Sequence, residues 1–122
     1  MAPTILVIDD DTEMHNLMRD IFEIHIPKVC LSSAYSSSDG IELINDLHPD
    51  LIILDVLLDR QSGINVLEQT PRDIPTLIIS GRDNVHMINA CYQNGARMFM
   101  KKPFEIPALV NFIKDTLHTA MA

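Results

Sequence analysis

No stretch of this chain approaches the roughly 20 consecutive apolar residues that a membrane-spanning helix needs, so no span is expected. The N-terminus, Met1-Ala2-Pro3-Thr4, lacks a basic region and leads straight into a strand-like run. That argues against a secretory signal and for a cytoplasmic setting. Cysteine is scarce. Cys30 and Cys91 share no metal or redox spacing, and both sit among apolar residues, which reads as two small buried hydrophobes. Basic residues are also few: 9 Lys and Arg against 17 Asp and Glu give a net charge of −8. Such a domain is poorly suited to nucleic acid, whose phosphates call for Lys and Arg. It is suited to concentrating a divalent cation wherever carboxylates converge. The sequence has no low-complexity segment, no long linker and no Gly-rich phosphate loop after its first apolar run, which speaks against a nucleotide site. Asp9-Asp10-Asp11 lacks the later acid and the glycine of a calcium loop. The five histidines show no metal-ligand spacing; His15 could face the acidic rim from the first turn of its helix, but reads rather as a solvated side chain. Met14, Met18, Met98 and Met100 read as core filler.

What the sequence does contain is alternation. Its 122 residues, 47% hydrophobic and 21% charged, fit one soluble domain over residues 1–122. Ile5–Ile8 is an apolar run followed by Met14, Leu17, Met18 and Ile21 at helical spacing, with Asp10 or Asp11 as cap. Val29–Leu31 is a weaker strand that fades into serines, followed by a helix carrying Ile41, Ile44 and Leu47 and ended by His48-Pro49. Leu51–Leu54 precedes a loop through Asp59 to Gly63 and a short helix carrying Ile64 and Leu67. Leu77–Ile79 precedes a helix over 84–94 with Val85, Ile88 and Cys91 inward and Gly95 as its stop. Met98–Met100 precedes the clearest helix, with Ile106, Leu109, Val110, Ile113 and Leu117 in one stripe.

Five such units predict an α/β fold, a doubly wound five-stranded parallel sheet with helices on both faces. The first, third and fourth runs are continuously apolar and belong inside. The second fades into polar residues, and the fifth is flanked by Arg97 and Lys101, so both belong at edges. With right-handed crossovers the order is 2-1-3-4-5, the flavodoxin-like (βα)5 arrangement.

In a parallel sheet the C-terminal strand ends share one rim, and ligands bind at its switch point. That rim carries Asp9, Asp10 and Asp11, then Asp55, Ser80-Gly81 and Lys102. Singly, these residues make ordinary caps, turns or a solvated lysine. Together, the carboxylates would repel unless a cation intervened. An oxygen-only donor set fits Mg²⁺, and a hydroxyl and a lysine suit phosphate oxygens. The set implies phosphoryl transfer onto a carboxylate.

The ordered set Asp9-Asp10, Asp55, Ser80 and Lys102-Pro103 resembles the receiver domain of two-component response regulators. Gly63, Gly81, Gly95-Ala96 and Phe99 match further positions of that family, and the resemblance covers essentially the whole chain. It implies a signalling switch that catalyses its own aspartyl phosphorylation and dephosphorylation, not a metabolic enzyme. Asp55 is then the phosphoacceptor, served by a sensor histidine kinase or a histidine phosphotransfer protein. Asp9, Asp10, Asp55 and the backbone carbonyl of Leu57 hold Mg²⁺. Ser80 hydrogen-bonds the phosphoryl group and draws Phe99 inward, and Lys102 pairs with the phosphoryl group. Lys102–Pro103 is a cis peptide. The changed surface is helix 4, strand 5 and helix 5, compatible with a dimer and with an output domain or downstream protein. Neither nucleic acid nor membrane is a direct partner.

The sequence departs from the family pattern at four places. Asp59, beside Arg60, replaces a proline. Leu57 and Arg82 are bulky at positions bordering the path of water, which should slow loss of the phosphoryl group. Ser80 replaces threonine, and Lys101 doubles the lysine. Two other readings share the fold or the chemistry. An aspartyl-phosphate phosphatase needs a second acid where this chain has Leu57. A flavin-binding module needs a Ser/Thr-rich loop where it has Asp9-Asp10-Asp11.

Overall fold

A computed structural model describes residues 2–57, 63–82 and 84–121, with side chains through 118. In chain order the elements are β1 (Thr4–Ile8), α1 (Thr12–His25), β2 (Cys30–Ala34), α2 (Ser37–Leu47), β3 (Leu51–Leu54) and α3 (Ile64–Glu68). They continue with β4 (Thr76–Ser80), α4 (Val85–Gln93), β5 (Met98–Lys101) and α5 (Ile106–Met121). The strands form one parallel sheet in the order β2-β1-β3-β4-β5, as the apolar and polar strand ends require.

Side-chain alternation along each strand builds two cores. Leu6, Ile8, Ile52, Leu54 and Ile78 face one way and pack with Ile44 of α2, Val66 and Leu67 of α3 and Cys91 of α4. Ile5, Val7, Leu51, Ile53, Leu77 and Ile79 face the other way, onto Met18, Ile21 and Phe22 of α1 and Leu109, Val110, Ile113 and Leu117 of α5. Every residue of β3 is buried, which is why that strand carries no alternation of polarity. Each such Leu or Ile contributes about 1.5–3 kcal/mol on burial, so the central strands are the fixed part of the scaffold.

Register places the site. Ile8 pairs with Leu54, and the Asp55 amide donates to the Ile8 carbonyl at 2.9 Å. The ladder thus runs one residue past both strands and sets Asp9 beside Asp55. Ser80 pairs with Lys101, and the Lys102 amide donates to the Ser80 carbonyl at 2.7 Å. The Lys102–Pro103 peptide is cis, as the resemblance implied.

Of the two caps the sequence offers for α1, Asp11 is the one used, accepting from the Glu13 amide. Other expectations are corrected. Val85 is 67% exposed, not inward. It lies six positions before the buried Cys91, and six steps of 100° leave it about 120° away around the helix. Cys30 is exposed while Cys91 is buried, because Cys30 opens the edge strand β2. Met98 is exposed on the other edge strand, β5, whereas Met18 is fully buried.

Candidate functional site

The carboxylates of Asp9, Asp10 and Asp55 each place an oxygen within 4.8 Å of the others. Asp9 is nearly buried, Asp55 half-buried and Asp10 exposed. The amide of Asp11 donates to Asp9 Oδ1 at 2.9 Å, and the amide of Leu57 donates to Asp55 Oδ1 at 2.9 Å. Lys102 Nζ reaches both acids, at 3.0 Å from Asp9 Oδ2 and 3.2 Å from Asp55 Oδ2. Four residues from three strand ends thereby meet at one point, between β1 and β3.

The electrostatics follow from this packing. Burial pushes the Asp9 carboxyl up from its ordinary value. The Asp11 amide and Lys102 pull it back only in part, and the charge of Asp55 adds to the rise. Burial lowers the Lys102 ammonium, but its hydrogen bonds and charge pairing with Asp9 and Asp55 outweigh that and hold it above the usual lysine range. One ammonium therefore serves more than one carboxylate, and the cluster keeps negative charge to spare. The donors are all hard oxygens, with no thiolate or imidazole among them. Such a set suits a small divalent cation such as Mg²⁺.

The rest of the rim frames this cluster. Ser80 is fully buried at the end of β4, and its Oγ accepts from the Arg82 amide at 3.3 Å. A side chain added at Gly81 would meet nothing within 4 Å among the described residues, so on their side the space beside Ser80 is open. At Gly63 a Cβ would lie 2.7 Å from the Asp55 carbonyl and 2.8 Å from Val56 Cα. Glycine is needed there because the returning loop touches the backbone that presents Asp55. Leu57 and Arg82 are both exposed. Asp59 and Arg60, read as a departure in the loop after Asp55, lie outside the described residues.

Phe99 is half-buried against the core cluster that contains Ile78, its partner across the ladder. Its amide donates to the hydroxyl of Tyr92 on α4 at 3.1 Å. That tie was not legible in the sequence, since nothing local marks a hydroxyl seven residues back as the partner of an edge-strand amide. His15, read as solvated with the acidic rim as the alternative, takes the alternative: it is fully buried, with Nε2 2.7 Å from the Asp9 carbonyl oxygen.

A doubly wound sheet with an acidic triad and a lysine at its switch point defines the class: a receiver-type signalling domain. The model of the response regulator receiver domain family matches residues 5–114, and the chain belongs to that family. It is 32% identical over 113 residues to the response regulator MprA of Mycobacterium ulcerans, covering 90% of this chain and 48% of that protein. It is 29% identical to the hybrid signal transduction histidine kinase D of Dictyostelium discoideum, covering 88% of this chain but 7% of that protein. The chain thus spans less than half the length of these curated relatives. Among solved structures, the receiver domain of a LuxO repressor protein from Vibrio parahaemolyticus superposes with a TM-score of 0.90 at 24% identity, covering 99% of this chain and 94% of that one. A CheY-like receiver from Methanospirillum hungatei gives 0.89 at 22%, covering 98% and 96%. At these identities the two show the fold. The chain is a receiver domain of two-component signalling, and receiver domains bind Mg²⁺ through an acidic pocket of the kind formed here. Among the described residues, no helix is long and apolar enough to cross a membrane.

Proposed function

We propose that Asp55 accepts a phosphoryl group from a phosphohistidine donor, a sensor histidine kinase or a histidine phosphotransfer protein, in the cytoplasm. The observation that carries this reading is the meeting of Asp9, Asp10, Asp55 and Lys102 at the switch point. An Asp55 carboxylate oxygen attacks phosphorus, a P–O bond forms, the P–N bond to the donor histidine breaks, and the imidazole takes up a proton. Asp9, Asp10, Asp55 and the Leu57 carbonyl would hold Mg²⁺, which would supply positive charge to the phosphoryl oxygens. The Leu57 amide, donating to Asp55 Oδ1, keeps the nucleophile aimed. Lys102 exchanges a carboxylate for a phosphoryl oxygen, so no ammonium has to be desolvated during the reaction.

Phosphorylation adds about −1.5 to −2 charges to a site that is already acidic. Ser80 hydrogen-bonds the new group, and the half-buried Phe99 moves inward beside it. The consequence is a population shift over α4, β5 and α5, read by an output domain or a downstream protein. With Asp55 as nucleophile and a divalent cation held by its neighbours, the domain would catalyse its own modification. The exposed Leu57 and Arg82 slow hydrolysis of the aspartyl phosphate by crowding the approach of water.

Acetyl phosphate with Mg²⁺ tests this directly. One phosphoryl group should add to the wild-type chain and none to Asp55→Asn. Phosphorylation that survives in Asp55→Asn would overturn the assignment. The same assay reads decay, and Leu57→Asn with Arg82→Ala should shorten the phosphoryl lifetime.

A further inference from the structure

The imidazole of His15 takes no part in the chemistry above, yet it touches the loop that carries the acids. We infer that His15 is a positioning residue for the cation site. By donating its Nε2–H to the Asp9 carbonyl it fixes the peptide joining Asp9 to Asp10, and so sets how those two carboxylates meet a divalent cation. This rests on the reading of Asp9 and Asp10 as cation ligands.

The geometry is specific. His15 lies in the first turns of α1 with no exposed surface, and its Nε2 is 2.7 Å from the Asp9 carbonyl oxygen. A carbonyl cannot donate, so Nε2 carries the proton, and in the neutral ring Nδ1 is left as an acceptor. That Nδ1 is buried without a partner among the described residues. A buried polar atom left unpaired costs free energy that a leucine in the same place would avoid. Packing alone therefore does not account for an imidazole here, whereas the bond to Asp9 does. The ring is held from the other side by Tyr35, with centroids 4.1 Å apart and planes tilted by 39°.

Asp9 is held at every polar atom as a result. Its amide donates to the Ala34 carbonyl of β2 at 3.1 Å, and its carbonyl accepts from α1 through His15. Its carboxylate is taken by the Asp11 amide and by Lys102. Asp10 follows directly and is exposed, so its aim comes from the backbone that carries it. Partners that orient a ligand in this way commonly account for 10–100-fold in metal affinity.

The test is the Mg²⁺ dissociation constant, from amide shifts in an NMR titration, for wild type, His15→Gln and His15→Leu, with urea unfolding of each in the absence of Mg²⁺. His15→Gln keeps an N–H donor at a similar reach and should bind within about 3-fold of wild type. His15→Leu should bind about 10-fold more weakly or worse, while still unfolding in one cooperative transition. A folded His15→Leu that binds Mg²⁺ as tightly as wild type overturns the inference and leaves the cation site intact. A wild-type chain that binds no Mg²⁺ overturns the cation site, and this inference with it. Should His15→Leu not fold, the wild-type ring decides: an Nε2 proton that exchanges rapidly with water, instead of being protected, overturns the inference.

Discussion

Lys102 is the residue on which the metal-free site depends, because its single ammonium lies 3.0 Å from Asp9 and 3.2 Å from Asp55. Removing it strands a nearly buried carboxylate whose pKa is already raised by burial. Lys102→Met should cost about 1–3 kcal/mol at neutral pH without Mg²⁺, measured by urea unfolding. Adding Asp9→Asn should restore at least half of that, since the amide needs no counterion. Strictly additive losses in this double-mutant cycle would show that the pair does not interact. The cysteines give a second test. Burial pushes the Cys91 thiol up, so the folded chain holds that proton more tightly than the unfolded chain does. The resulting stability is complete below about pH 8.5, the value of an unfolded cysteine, and is lost as pH rises through the folded value. Between those limits wild type should lose more stability than Cys91→Ala, and equal slopes would refute the assignment. A thiol reagent should label Cys30 at once and Cys91 only on unfolding. In the sequence the two cysteines look alike, since each has apolar neighbours. What separates them is that one opens an edge strand and the other lies on the inner face of α4, a difference of tertiary position. The hydrogen bond of His15 was hidden for the same reason: its acceptor is a backbone carbonyl in the preceding loop, which carries no residue-type signal.

At the scale of elements, the two glycines of the rim do opposite things. Gly63 brings the chain back against the peptide that presents Asp55, and a Cβ there would meet backbone at 2.7 and 2.8 Å. Backbone cannot rotate aside, so Gly63→Ala should cost about 1–3 kcal/mol and weaken Mg²⁺ binding by displacing Asp55. Among the described residues Gly81 faces open space, so Gly81→Ala should change stability by less than about 0.5 kcal/mol and reduce only phosphorylation, by filling room that the phosphoryl oxygens need. Equal unfolding midpoints for the two variants would contradict this contrast. The strands were legible because a strand buried on both faces must be apolar throughout, as β3 is. Helix faces were less so. In α4 a plausible apolar triplet, Val85, Ile88 and Cys91, spans too wide an arc to be buried at once, and the sequence does not say which end yields. The meeting of Asp9, Asp10, Asp55 and Lys102 was legible because parallel topology maps strand ends onto one rim. The hydrogen bonds that brace it from α1 and α4 depend on distances that no spacing rule supplies.

For the whole molecule, strand polarity together with right-handed crossovers was enough to order the sheet, because a polar-ended strand tolerates an edge and an apolar one does not. It did not reveal which edge keeps apolar surface uncovered. Val85, Ile88 and Tyr92 lie at i, i+3 and i+7 on α4, with Val85 67% and Tyr92 44% exposed. The Tyr92 hydroxyl meets the amide of Phe99, so this stripe runs beside the edge strand β5, whose Met98 is 38% exposed. The patch adjoins the residue proposed to move on phosphorylation, so a change at Ser80 and Phe99 can reshape it without altering the central strands. A second copy of the chain would bury apolar side chains there at the cost of bringing together two domains of net charge −8. That repulsion is screened over about 8 Å at physiological ionic strength, so association should strengthen with salt. Light scattering in Mg²⁺ and beryllium fluoride, a phosphoryl mimic, should therefore show the mass rise from 13.7 kDa toward twice that value, more completely at higher salt. Met98→Asp should hold the mass at that of one chain while leaving beryllium fluoride binding unchanged. A mass that stays at one chain in the wild type, or a dimer indifferent to Met98→Asp, would remove this edge from the signalling surface.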